Sequence, residues 1–387
     1  MPAFFRVEDL DERLKPILSG ISSKNPREDL IEFRKLLQND EDGHFLYQYV
    51  FLSPKCAELM SVWSLGPGAE PCVPLLQLME EIMKHPMGKQ GNSIDLSKPD
   101  NARIHSVVVR LRLDRLARLI VTMKLKDIYA HLTSSERNRQ RSALLLVASI
   151  ARRGSSLASE IATNFDFSLN ALPKLSKPYH NSYKNANKNS KEMNLSTTSR
   201  SVRSAYIEFA LSFLEVSHAA LLRWVLQIRP LYTGVFHNLS TDDENTILSV
   251  LSVLRDKVLD SSAMVPPGLQ SAIFGDASLE QLAIISSNEM HSKAAQAAND
   301  TLLVLCTDPS HGICPDDTAL WESSTRKSGN FGGGQGRLVR LMLKLRATES
   351  QNHRELLLLI AAGKPVLVAA YFDSFPYSLE PRASNAW

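Results

Sequence analysis

Three groups of residues in this chain have types and spacings that bear on chemistry. Cys306, His311 and Cys314 lie within nine residues and offer two thiols and an imidazole, the ligand types that zinc takes. The spacing C-x4-H-x2-C lacks a fourth ligand nearby, and Cys306 continues the apolar run of Leu302, Leu303 and Leu305. A packing cysteine beside a loop histidine is the better reading. The second group is Gly329-Asn330-Phe331-Gly332-Gly333-Gly334-Gln335-Gly336, since the amides of a glycine loop cradle phosphate at a helix start. No G-x-x-x-x-G-K-[ST] occurs and Trp321 to Ser328 do not read as a strand, so the Walker and dinucleotide patterns both fail. G-x-S-x-G and H-E-x-x-H are also missing. The expectation is a chain with no catalytic, cofactor-binding or metal-binding residues.

The third group is cationic. Residues 101–153 carry 12 Lys or Arg against 3 Asp or Glu, whereas 1–100 carry 11 against 16 and 204–387 carry 14 against 19. The net charge of +3 therefore hides a positive centre between acidic flanks. On a helical wheel Arg103, Arg110, Arg115 and Arg118 fall on an arc opposite the apolar stripe Val109, Leu113, Leu116 and Ile120. Lys124, Lys126, Arg137, Arg139, Arg141, Arg152 and Arg153 extend the charge, and guanidinium forks suit phosphate oxygens. Contact with RNA or with an acidic partner is one reading of this region. A solvated helix face is the other, and Val107, Leu111 and Val121 intrude on the arc.

Helices must position these groups. The stripe from Val109 to Ile120 runs at steps of four, three and four, which makes one buried helix face within 105–123. A second helix starts at Ser134 or Ser135 and ends on Arg152, Arg153 and Gly154, cations and a glycine at a C-terminus. Asn25 as cap, Pro26 in the first turn and Glu28 completing a capping box start a helix that runs to about Gln38. Ser53-Pro54 opens another with Leu59, Val62 and Trp63 inward, and Val73 to His85 repeats the pattern. Further helices are predicted over 155–164, 202–216, 218–228, 243–259, 278–287, 289–306, 336–347, 350–362 and 365–373. No stretch alternates for long enough to predict a sheet.

The expected fold is all-α, with stacked helix pairs forming a HEAT- or armadillo-like α-solenoid. Its predicted division is 1–174, N-terminal helical repeats; 175–201, an Asn-, Ser- and Lys-rich insertion with too little apolar surface to order; and 202–387, C-terminal repeats of the same solenoid, interrupted by a long glycine-rich loop at 308–336. With 44% hydrophobic and 22% charged residues the chain has enough apolar surface for a core, while its apolar runs are far shorter than a bilayer span. Four scattered cysteines predict reduced thiols and no disulfide framework. The mixed residues Met1 to Leu10 lack the apolar core of a secretory signal, so the chain is expected inside the cell.

Several strings are more specific: Ser204-Ala205-Tyr206-Ile207-Glu208-Phe209-Ala210-Leu211-Ser212-Phe213-Leu214, Asn164-Phe165-Asp166-Phe167, His311-Gly312-Ile313, Tyr371-Phe372 and the closing Pro381-Arg382-Ala383-Ser384-Asn385-Ala386-Trp387. In this order they resemble the N-terminal domain of the Urb/Npa family of nucleolar pre-ribosomal proteins. The resemblance implies a helical-repeat, non-catalytic scaffold acting in large ribosomal subunit biogenesis and pre-rRNA maturation in the nucleolus. Its implied partners are pre-ribosomal particles, other large-subunit assembly factors and pre-rRNA itself, with no membrane. Family proteins are several times longer, so the chain corresponds to their first domain, as a truncated product or a short gene model. The alternative is a generic armadillo-like adaptor that binds a peptide in a concave groove.

Overall fold

Leu14, Ile17 and Ile21 are spaced by three and four residues, and all three are buried in helix α1, Leu14–Ile21. Leu30, Phe33 and Leu37 do the same for α2, Arg27–Gln38, which packs on α1 closely enough that a methyl at Gly20 would run into the Asp29 carboxylate. The structure, a computed structural model, describes residues 11–23, 25–53, 55–63, 72–86, 100–132, 134–164, 190–216, 225–260, 265, 269–270, 273–288, 292–307 and 358. α2 ends where the periodicity predicts, but it starts without the expected capping box. Pro26 occupies the cap position, no side chain caps the helix, and the Asn25 amide instead donates to Ser23 Oγ.

α3, His44–Leu52, follows Gly43, whose φ of 68° favours glycine. Six consecutive residues of α3, Phe45 to Val50, are buried, so it has no polar face to reveal a helical period. That is why the sequence pattern does not announce it. Ser53 Oγ accepts from the Ala57 amide and donates to Glu58, fixing the start of α4, Ala57–Trp63, with Leu59, Val62 and Trp63 inward as predicted.

α5, Cys72–Lys84, α6, Asp100–Leu132, α7, Arg137–Ala151, α8, Ser155–Asn164, and α9, Ser190–Val216, complete the N-terminal compact unit, residues 1–224. α7 packs against α5, α6, α8 and α9, and every residue from Ser142 to Ala151 is buried. α9 corrects the predicted insertion, because 190–201 are helical and continuous with the 202–216 helix. Propagation explains this: once 202–216 form the nucleus, each further residue adds a hydrogen bond without a new nucleation cost, even with few apolar side chains. Residues 175–189 lie outside the described ones.

The C-terminal unit, residues 225–387, holds α10, Val225–Phe236, a 3-10 turn at Leu239–Thr241, α11, Glu244–Leu254, continued by a π turn at Arg255–Leu259, α12, Asp276–Ser286, and α13, Ser292–Thr307. Asp243 caps α11 by accepting from the Thr246 amide at 3.0 Å. α13 packs on α11 and α12. Of the helix predicted over 218–228, residues 218–224 lie outside the described ones and 225–228 are helical; α10 passes through Pro230, which costs one backbone hydrogen bond but does not end the helix. It ends at Phe236, and two residues on Asn238, before the 3-10 turn, has a φ of 56°, which suits asparagine better than most side chains. The boundary between compact units falls after Trp224. The loop at 308–336 and the helices predicted beyond it lie outside the described residues, Leu358 aside. The described residues contain helices and no strand, the all-α class expected.

Candidate docking surface on the basic helices

Val109, Leu113, Leu116 and Ile120 are buried as their spacing predicts, and Ala117, Leu125 and Ile128 join them. α6 therefore turns one side into the unit, against α7, α8, α3 and α5, and leaves the other to solvent. Its 33 residues make a rod of ~50 Å. On the open side Arg115, Arg118 and Lys126 are exposed and have no ion-pair partner among the described residues. Arg103 is on α6 with its side chain outside the described ones. Arg110 is half-buried, and its carbonyl accepts from Arg153.

The remaining predicted cations are engaged within the fold to differing degrees. Lys124 pairs with Asp127 at 3.7 Å and Arg139 with Glu136 at 2.7 Å, both within a helical turn. Arg137 is exposed and donates to Gln140 Oε1. Arg141 is half-buried, close enough to Glu80 to favour its ionised form. Arg152 binds Glu215 at 2.6 Å and Glu208 at 3.4 Å, which ties the end of α7 to α9.

Arg153 is a correction. It is 4% exposed, with its guanidinium on Asp114 at 2.8 Å and on the Met83 and Arg110 carbonyls. It joins α5, α6 and α7 and is closed to an outside partner. Burial pulls its pKa down and Asp114 opposes that. The sequence showed a cation at a helix end but not the acceptors that two other helices, α5 and α6, bring to it.

Arg112, which the wheel arc passed over, is half-buried on α6 without an ion-pair partner among the described residues. Leu111 and Met123, each 60% exposed, stand among these cations. Leu111 was visible in the sequence as an intrusion on the arc. Met123 gave no signal beyond its place at the end of the predicted helix.

Cys56, Cys72, His85 and His131 are buried, whereas His44 and His237 are exposed. The Cys56 thiol is pushed up to about 12 by burial, which leaves it un-ionised and inert. Cys72 Sγ lies 3.2 Å from His131 Nε2, and His131 is 2% exposed. No group of three or more metal-ligating side chains occurs among the described residues. Cys306 falls on α13, while His311, Cys314 and the glycine run at 329–336 lie outside the described residues.

His85 and His131 yield a testable pH dependence. Burial lowers both imidazole pKa values; Asp40, whose carbonyl His85 meets at 2.9 Å, opposes this at His85, and Arg139 reinforces it at His131. The unfolded chain takes up protons at these positions, near the usual value of about 6.5, that the folded chain refuses. Stability is therefore held above that pH and lost as pH falls through the lowered folded values. Denaturant midpoints should decline from pH 7.5 to 5.5, and His85→Gln with His131→Gln should flatten the decline. An equally steep decline in the double variant would exclude these imidazoles as its source. Glu80, whose pKa burial raises, acts in the opposite sense at lower pH.

The comparisons with known proteins bear on the whole arrangement. A family model described as ribosome 60S biogenesis N-terminal matches residues 96–387, from just before α6 to the last residue. The chain belongs to this family. It is similar to nucleolar pre-ribosomal-associated protein 1 of Homo sapiens, 23% identical over 381 residues that cover 93% of this chain and 15% of that protein. The Mus musculus protein of the same name is 22% identical over 401 residues, 97% of this chain and 16% of that protein. The chain thus spans about a sixth of the length of the curated relatives it matches. Of the strings that carried the resemblance, the one at 204–214 is the core of α9, with Tyr206, Phe209 and Phe213 fully buried. Among the described residues no helix is long and apolar enough to cross a membrane.

Proposed function

We propose that this chain is a non-catalytic helical scaffold of large ribosomal subunit biogenesis, acting in the nucleolus on precursor particles during pre-rRNA maturation. The observation that carries this reading is the family match over 96–387, which takes in α6, α7 and α9 together. The names of the human and mouse relatives supply the compartment and the particle. The scaffold role is supported by the way polar groups are used: Arg152 and Arg153 tie helices together, and the Cys56 thiol is held un-ionised. Its partners are pre-ribosomal particles and their assembly factors, and the exposed cations Arg115, Arg118 and Lys126 are the surface that meets them.

A tagged chain is expected to concentrate in the nucleolus and to sediment with large-subunit precursors on a density gradient. Changing Arg115, Arg118 and Lys126 to glutamine should reduce co-sedimentation several-fold and make the remainder less sensitive to salt, with folding stability within ~1 kcal/mol because these side chains are exposed. A wild-type chain that stays at the top of the gradient and spreads through the cell would overturn the assignment. A folded triple variant with unchanged association would remove these cations from the contact.

A further inference from the structure

The open side of α6 is more than a row of cations. Leu111, Arg112, Arg115, Arg118, Met123 and Lys126 fall within an arc of roughly 140° on the wheel. Leu111 and Met123 are each 60% exposed, and Val108 and Leu119 are half-buried beside them. Among the described residues no carboxylate pairs with the cations of this arc: Asp114 is held by Arg153, and Asp127 pairs with Lys124. The face is therefore an apolar track flanked by cations, ~18 Å long from Leu111 to Met123.

The chemistry discriminates between occupants. Nucleic acid would use the cations, but single strands also stack bases on aromatic or guanidinium planes. The aromatic groups near this side of α6 are committed, since Tyr129 donates to the Ile161 carbonyl and His105 stacks on Tyr47 at 3.9 Å. Phosphate contact alone would leave Leu111 and Met123 unexplained. A protein helix uses both sets. Methionine and arginine are enriched at protein interfaces, and the unbranched methionine side chain adapts to the groove of a partner helix.

We infer that this face of α6 docks an acidic amphipathic helix of a partner protein. The partner's apolar side chains seat on Leu111, Leu119 and Met123, and its carboxylates lie against Arg112, Arg115, Arg118 and Lys126. This deepens the docking role proposed above and rests on it only for the source of the partner. The mode is a helix laid along a helix, read by apolar anchors at turn spacing, with the flanking charges setting orientation and encounter rate.

The test uses the full chain and a fluorescein-labelled peptide of roughly fourteen residues, ~21 Å as a helix, with leucines along one side and glutamates flanking them. A scrambled peptide of the same composition and a uridine-rich single-stranded RNA are the comparison probes, read by fluorescence anisotropy. The ordered peptide should bind about tenfold or more tightly than the scrambled one, and Leu111→Ser with Met123→Ser should remove that advantage while circular dichroism stays unchanged. RNA affinity should be the same in the wild type and in this double variant.

Equal binding of the two peptides, or full peptide affinity in the folded double variant, would overturn the inference. So would RNA binding tighter than the peptide and lost on Arg115→Gln with Arg118→Gln, which would give the face to nucleic acid. The gradient experiment separates the two levels. Co-sedimentation without peptide discrimination removes only the acidic helix, and peptide discrimination without co-sedimentation removes only the ribosomal assignment.

Discussion

Replacing Asp114 with alanine should cost the N-terminal unit about 3–5 kcal/mol, because it removes a carboxylate 2.8 Å from a buried guanidinium. Arg153 is 4% exposed and is held by contacts from α5 and α6, among them the Asp114 carboxylate at 2.8 Å. An arginine does not escape burial by losing its proton. The two carbonyls it also meets, of Met83 and Arg110, are dipoles and supply only part of the compensation. Arg153→Met should be far milder, ~1–2 kcal/mol, since Asp114 is 28% exposed and re-solvates once the guanidinium is gone. The asymmetry is the informative result, and denaturant unfolding of each single variant measures it. Equal losses from the two variants would mean that packing of the arginine stem, and not an uncompensated charge, holds α5, α6 and α7 together.

Arg153 also marks where sequence reasoning reaches its limit. Its neighbours in the chain, Arg152 and Gly154, made it look like one more cation at a helix end. Asp114, Arg110 and Met83 lie 39, 43 and 70 residues away from it, and no local pattern shows them. Patterns that repeat within one helix were legible: the stripe on α6 and the inner face of α4 came from spacing alone. α3 was not legible, because burial on nearly every side erases the contrast between apolar and polar positions. The start of α9 was misread for the opposite reason, since polar residues that have no apolar face still continue a helix nucleated further along. On the candidate surface, charge composition located the helix, but only the fold separated Arg115, Arg118 and Lys126 from cations that bind their own protein.

Phe213→Ala should destabilise the same unit by about 3–5 kcal/mol, while Glu215→Gln two residues on should cost no more than ~1 kcal/mol. Both residues lie on α9. Phe213 is completely buried and meets the Phe209 ring edge to face at 5.2 Å, an arrangement that adds to area burial. Glu215 binds Arg152 at 2.6 Å, a shorter and more conspicuous contact, but their side chains are 30% and 34% exposed, so water and salt weaken it. The helices explain why the ring matters more. α7 presents small buried residues, Ala143, Ala148 and Ala151 with Ser142 and Ser149, so neighbouring backbones approach closely and bulky side chains from elsewhere fill the space between helices. α9 brings Tyr206, Phe209 and Phe213 to that core, in the string on which the family resemblance rests. Truncating Phe213 leaves a cavity that close-packed helices cannot collapse to fill, whereas the Arg152 guanidinium keeps Glu208 as a partner when Glu215 is neutralised. Denaturant midpoints of the two variants, compared at low and high salt, decide the matter: a Glu215→Gln loss as large as that of Phe213→Ala, and erased by salt, would show that α9 is held by its ion pairs and not by its rings.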